Sequence, residues 1–330
     1  MVIWDAHKNK PEREITCLSQ VRGVRLQPGR VVVILRNWIR IYGTERIPNL
    51  LAKYPTADNP YGICCECGPR KIAFPGRTRG QVQLVDFERD DVSIIPAHST
   101  ALRALASSAD GELLATASSA GTIIRVWSTS KHSRLVELRR GADNATIYSL
   151  GFNPSGTMLA STSDKGTLHV FDVPRAPSPL PLPPSAAQRS LADPGRAPSR
   201  LGDDFEVAST VDEGPADDGG AGAGAAPKKW GLLGKIPFMP QYFRDIVSFA
   251  SDTFDTHEDP QTAGLRRSFA QEMELAAQPK GIIGWPQDDC VVVVGCGCNA
   301  RFEKWAVAVG NDGKRSLIRQ GWVNYLEKER

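Results

Sequence analysis

No apolar run among the 330 residues approaches the roughly 20 that a membrane-crossing helix needs, and Met1 to Lys10 has no apolar core of the kind a secretory signal carries. Charge of one sign is scarce as well. Forty Lys and Arg face 37 Asp and Glu, and a net charge of +3 excludes nucleic-acid binding by bulk charge. The seven cysteines are odd in number and not spread as a disulfide framework, so buried thiols on strands in a soluble, reducing compartment are expected. Cys64-Cys65-x-Cys67 and Cys296-x-Cys298 lack the paired C-x2-C spacing of zinc sites, and His7, His98, His132, His169 and His257 show no metal-ligand spacing. A Walker-type glycine loop and a nucleophile elbow are both missing. These absences point away from a metal, a cofactor or an enzyme.

Helical periodicity is also nearly missing, and short β-rich runs separated by Gly, Asn, Asp and Pro take its place. Val31–Leu35, Ile39–Tyr42, Val82–Val85, Leu113–Ala117, Ile123–Trp127, Met158–Ser161, Leu168–Phe171, Cys290–Val294 and Trp305–Val309 are examples. Such a chain forms a sandwich, a barrel or a propeller, and internal repetition chooses among them. The segment from Leu102 to Gly111 aligns with that from Ile147 to Gly156. Beyond it, Leu114-Ala-Thr-Ala-Ser118 meets Leu159-Ala-Ser-Thr-Ser163, Gly121-Thr122 meets Gly166-Thr167, and Trp127 meets Phe171 after one extra residue. A period of about 45 is that of a propeller blade. Asp110-Gly111 and Ser155-Gly156 fall at hairpin turns.

Twelve of the 24 prolines lie between Pro174 and Pro240, and Gly219 to Ala226 reads GGAGAGAA. Such composition cannot bury enough apolar surface to offset its ordering entropy. The expected organisation is therefore propeller blades over 1–173, a largely disordered insertion over 174–280, and a last blade over 281–330. Without the insertion, the remainder suffices for roughly five blades at about 45 residues each. Val2-Ile3-Trp4-Asp5 reads as the third strand of a blade. The end of the insertion differs from its start. Residues 228–250 are apolar, aromatic and basic, and Phe243, Ile246, Val247 and Ala250 follow helical spacing after Pro240. This segment either meets a bilayer interface or packs back on the propeller.

Glu137-Leu138-Arg139-Arg140-Gly141 lies between the two best repeats. Adjacent strand residues point to opposite faces, so Arg139 and Arg140 are directed toward different blades. One blade offers Thr116, Ser118, Gly121, Thr122 and Arg125. The other offers Ser161, Ser163, Gly166, Thr167 and His169. Hydroxyls, a close-approach glycine and a cation suit a phosphate group. Solvated strand-end arginines and ordinary turn hydroxyls are the plainer alternative.

Leu138-Arg139-Arg140-Gly141 is similar to the F/L-R-R-G motif of the PROPPINs, the WIPI-type phosphoinositide-binding β-propellers. Val31–Tyr42, Asp58-Asn59-Pro60, Phe74-Pro75-Gly76, Gln83-Leu84-Val85-Asp86, Ala97-His98, Ala115–Arg125, Ser161–Phe171 and Met239–Phe243 resemble further parts of that family. The resemblance implies an all-β, seven-bladed propeller, of which about five and a half blades are present here. It implies two sites for phosphatidylinositol 3-phosphate or 3,5-bisphosphate. The first would use His98, Thr116, Ser118, Gly121, Thr122, Arg125 and Arg139, and the second Arg140, Ser163, Gly166, Thr167 and His169. Trp230, Leu232, Leu233, Ile236, Phe238, Tyr242 and Phe243 would enter the bilayer. The implied protein is a non-enzymatic peripheral effector in autophagy or vacuolar trafficking. It would sit on phagophore, endosomal or vacuolar membranes and recruit autophagy or trafficking proteins. A WD-repeat scaffold binding only proteins is the alternative. His169 stands where the other blade has Arg125, so a cation is expected there, with lipid binding that weakens from about pH 6 to pH 8 as histidine titrates.

Overall fold

A strand whose successive side chains face opposite ways can serve two cores at once, and this chain uses that property in four of its five described blades. The computed structural model describes residues 1–44, 49–174, 246–254, 281–295 and 301–324, all in strands, turns or irregular connections. A two-stranded hairpin, β1 (Val2–Asp5) and β2 (Lys10–Glu14), comes first. Next are an antiparallel sheet of β3 (Gly23–Gln27), β4 (Arg30–Ile34), β5 (Trp38–Gly43) and β6 (Leu50–Pro55), and a second of β7 (Cys65–Glu66), β8 (Lys71–Pro75), β9 (Gln81–Asp86) and β10 (Asp91–Pro96). The third consists of β11 (Leu102–Ser107), β12 (Leu113–Ser118), β13 (Ile123–Ser128) and β14 (Arg134–Arg139). The fourth opens with β15 (Ile147–Phe152), β16 (Met158–Ser163) and β17 (Thr167–Asp172). β18 (Ile246–Val247) and β19 (Ala250–Thr253) follow the insertion, and β20 (Ile282–Gln287), β21 (Cys290–Val294), β22 (Arg301–Val309) and β23 (Arg315–Asn324) form the last sheet. Five blades and a two-stranded half-blade agree with the expected propeller.

The cores lie between consecutive blades. On β4, Val31 and Val33 pack with Ile3 and Ile15 on the hairpin side, whereas Val32 and Ile34 meet Ile72, Phe74 and Val85 of the next blade. On β12, Leu114 joins Ala73, Val82 and Ile95, while Leu113, Ala115 and Ala117 join Ile147, Leu150 and Phe171. All six residues of β12 and of β16 are buried, because each is an inner strand covered on both faces. The turns at Gly111 and Gly156 have φ of 74° and 69°, as the repeat predicts.

From Ile246 onward the chain takes the second course expected for 228–250, packing back on the propeller, and does so as strands. β18 runs parallel to β14, with Leu138 opposite Ile246 and Arg139 opposite Val247. β19 then completes the fourth blade by pairing antiparallel with β17, from Thr167 opposite Thr253 to Val170 opposite Ala250. Ile246, Val247 and Ala250 thus lie on strands, and their helical spacing is not realised. Phe249 packs with Val291, Phe254 and Trp305 in the core between the last two blades. The insertion expected over 174–280 therefore ends, for 246–254, in blade structure. Phe249 and Phe254 anchor this stretch in the core, and the fourth blade lacks an outer strand until β19 arrives.

Candidate functional site

The two repeats place two like turns on consecutive blades. Gly121 N–H donates to Ser118 O at 3.0 Å with φ of 64°, and Gly166 N–H donates to Ser163 O at 3.0 Å with φ of 65°. Glycine is required at the first: a Cβ on Gly121 would lie 1.7 Å from Ala145 O. β14 ends beside these turns. Arg139, half-buried, pairs in register with Ile123. Arg140, only 8% exposed, donates from Nε to Gly121 O at 2.7 Å and from Nη2 to Asp143 O. The two arginines thus take different environments, and Arg140 is held in the join between the blades. Burial lowers its guanidinium pKa from the usual value, and the charges of Asp164 and Asp143 oppose that shift.

In the first cluster, Thr116 is opposite Arg125, and Arg125 is opposite Glu137. Arg125 Nε donates to Glu137 Oε1 at 2.8 Å and Nη1 to Ala97 O at 2.5 Å. Arg134 pairs with the same carboxylate oxygen. The cation expected at Arg125 is thus matched by a partner that the repeat alignment did not single out. Thr116 is fully buried and its hydroxyl is occupied on three sides. It accepts from Trp127 Nε1 at 3.1 Å, donates to Arg125 O at 3.3 Å, and lies 2.9 Å from His98 Nε2. His98 Nε2 is also 3.2 Å from Thr116 O. A carbonyl only accepts, so the network assigns the proton to Nε2. Burial first, and Arg125 second, push the His98 pKa down to about 4. His98 and Thr116 therefore brace Trp127 within the blade.

The second cluster lacks this brace. Phe171 replaces Trp127, Asp143 replaces His98, and Ser161 replaces Thr116. The buried Ser161 hydroxyl has no hydrogen-bond partner. Ser163, also fully buried, has its hydroxyl 3.2 Å from Thr167 Oγ1, while Thr167 remains half-exposed to the surface. His169 is opposite Ser161 on β16 and Ser251 on β19. Its Nδ1 lies 3.2 Å from Ser248 Oγ, and its ring stacks on Phe171 with centroids 6.2 Å apart. Burial first, and the Arg140 charge second, push its pKa down to about 4. The cation expected at His169 is thus a neutral imidazole at pH 6–8, because a desolvated ring beside a guanidinium disfavours a second positive charge. Ser248 and Ser251 were missed by sequence reasoning, since they arrive from across the insertion with no repeat to mark them.

Thr116 and Ser163 expose no surface, so they can act on a ligand only through what they hold in place. Thr122, Arg125 and Arg139 of the first cluster, and Thr167 and His169 of the second, keep partial exposure. Trp230, Leu232, Leu233, Ile236, Phe238, Tyr242 and Phe243 lie outside the described residues. The described chain re-enters at Ile246, beside Leu138 and one residue from the partner of Arg139. β18 therefore begins next to the arginine pair.

A family model described as PROPPIN matches residues 3–191. An SVP1-like protein 2 from Emericella nidulans is 43% identical over 326 residues, spanning 99% of this chain and 92% of that protein. Autophagy-related protein 18e of Arabidopsis thaliana is 36% identical over 172 residues, covering 51% of this chain and 46% of its own length. Among solved structures, Kluyveromyces lactis Hsv2 superposes with a TM-score of 0.66 at 16% identity, over 98% of this chain and 79% of that one. A complex of KlAtg21 with the coiled coil of AgAtg16 gives 0.59 at 16% identity, over 98% and 76%. At that identity the structural likeness speaks for the fold alone.

Proposed function

Since the chain belongs to the PROPPIN family, we propose that it is a non-enzymatic membrane effector that binds 3-phosphorylated inositol lipids on either side of Arg139-Arg140. The observation that carries this reading is the pair of matching Ser-to-Gly turns on consecutive blades, with the arginine pair ending the strand between them. Each turn offers hydroxyls; Gly121 is packed against Ala145 O, whereas Gly166 keeps partial exposure. Arg139 and Thr122 serve the first headgroup. Arg140, Thr167 and His169 serve the second, with Ser118 and Ser163 fixing the turns. Asp143 and Asp164 lie near Arg140 and disfavour an anion there, which makes the second site the weaker of the two.

The segment at 228–243 supplies the apolar part of membrane affinity. Two shallow headgroup sites and an inserted loop are each weak, and together they gain through effective concentration. Autophagy-related proteins are the partners in this reading, supported by the relatives' names and by the coiled-coil complex of the KlAtg21 neighbour. The localisation that follows is cytoplasmic, with recruitment to phagophore, endosomal or vacuolar membranes.

The test is flotation with vesicles that contain or lack phosphatidylinositol 3-phosphate. Changing Arg139 and Arg140 together to Thr removes two charge-assisted partners, each contributing about 1.5–3 kcal/mol. Flotation should fall at least tenfold, with circular dichroism unchanged. Undiminished lipid-dependent flotation by a folded double variant overturns the proposal and leaves a scaffold that binds only proteins.

A further inference from the structure

The innermost strands of the third and fourth blades carry the same irregularity. Between β11 and β12, Leu102 faces Ser118 and Ala104 faces Ala117, so Arg103 has no residue opposite it. Between β15 and β16, Ile147 faces Ser163 and Ser149 faces Thr162, so Tyr148 has none. A bulge of this kind re-aims a side chain and is frequent beside binding sites. Arg103 and Tyr148 occupy the same repeat position and line one cavity of about 160 Å³, together with Arg25 and Tyr61. Arg103 and Tyr61 also line a larger hollow of about 460 Å³, which Pro60, Pro75 and Leu102 wall and to which Ser119, Thr146 and the exposed Arg79 contribute.

Arg103 is the unusual member. It is 9% exposed, and its guanidinium carbon sits 3.8 Å from the centroid of the Tyr61 ring. Its Nε has no hydrogen-bond partner. Arg25, by contrast, spends Nε on Cys64 O and Nη1 on Val24 O. Asp164 acts on Arg103 only through its charge, and one of its oxygens accepts from Thr146 N–H. A buried donor without an acceptor is costly unless something completes it.

We propose that this hollow binds an acidic peptide segment, with Arg103 taking a carboxylate and the Pro60–Tyr61–Pro75–Leu102 wall taking an apolar side chain beside it. The stacked guanidinium lines the hollow, and its fork of donors matches the two oxygens of a carboxylate. The lining carries Arg103 and Arg79 as cations and a single carboxylate, Asp58, which is paired with Arg36, so the hollow retains a positive balance beside its apolar wall that suits a carboxylate. Arg79 adds attraction for an acidic partner. The site meets the first headgroup turn through Ser119, so lipid and peptide must be measured separately.

The probe is a seven-residue peptide of alternating Glu and Leu carrying a neutral dye, titrated with the full chain and followed by fluorescence anisotropy. A peptide with Gln for each Glu is the control. The acidic peptide should bind at least about tenfold more tightly than the Gln peptide, and Arg103→Gln should remove that preference. Arg103→Lys should restore part of it, and vesicle flotation should stay unchanged in both variants. Absence of binding by the acidic peptide, equal binding of the two peptides, or unaltered affinity in Arg103→Gln overturns the proposal. Loss of vesicle flotation with peptide binding intact would assign Arg103 to the lipid site and overturn it as well. If Arg103→Gln does not fold, the peptide pair and Arg103→Lys still decide.

Discussion

Replacing Gly121 by Ala tests the turn on which the arginine pair depends. Gly121 has φ of 64°, where an L residue costs about 1–2 kcal/mol. Strain is only part of the effect. The new Cβ would lie 1.7 Å from Ala145 O and 2.8 Å from Ala145 C, and both are backbone atoms that cannot rotate away. Relief requires moving the backbone at Ala145, which endangers the 3.2 Å bond from Ala145 N–H to Ala120 O and adds about 1 kcal/mol. Gly29 provides the control. It has φ of 73°, but a Cβ added there would meet nothing within 4 Å, so Gly29→Ala carries the strain alone. Gly121→Ala should therefore cost about 2–3 kcal/mol, against about 1–2 for Gly29→Ala. In a domain of this size that separates the two melting temperatures by roughly 2–4 °C. Gly121 O also accepts from Arg140 Nε, so vesicle binding should fall in Gly121→Ala and persist in Gly29→Ala, measured where both remain folded. Thermal unfolding by circular dichroism reads the first difference and flotation the second. Equal destabilisation of the two variants would refute the claim that the turn is packed against Ala145.

Thr116→Val keeps the shape but leaves Trp127 Nε1–H and His98 without their shared hydroxyl; it should cost about 1–3 kcal/mol in urea unfolding while headgroup affinity of the folded protein holds, and a selective loss of affinity would restore Thr116 as a direct ligand. His98 and His169 have pKa values pushed down to about 4 in the folded chain, below the ordinary value near 6.5 of an unfolded histidine. The unfolded chain therefore binds more protons between those values, and stability is lost as pH falls from about 6.5 toward 4, by roughly 1 kcal/mol per histidine at pH 5.5. His98→Gln with His169→Gln should flatten this loss, and an identical pH profile for parent and double variant would refute it. Lipid binding should stay flat from pH 6 to pH 8, because His169 is neutral throughout that range in the free protein; a steady decline would mean that the bound headgroup restores its proton.

The local order of this protein was written in the sequence because it depends on nearest neighbours along the chain. Short β-rich runs bounded by Gly, Asn, Asp and Pro marked the strands, the period of about 45 marked the blades, and Gly111, Gly121, Gly156 and Gly166 marked turns whose positive φ only glycine adopts easily. The arginine pair and the hydroxyls around it were legible for the same reason, being fixed by their place in a repeat. What decides whether those groups face a ligand or one another is long-range packing, on which a repeat alignment is silent. Thr116 and Ser161 occupy equivalent positions, yet the first is satisfied by Trp127 and His98 and the second is left without a partner, because the neighbours that differ come from other strands. Arg125 is matched by Glu137 only once β13 and β14 are in register. Ala250 to Thr253 become a strand because the outer edge of the fourth blade is vacant, and Ile246-Val247 pairs with the edge of β14 in the third, properties of the sheets and not of those residues. Arg103 turns toward the hollow because a bulge removes the residue opposite it, and a bulge is a property of two strands paired together.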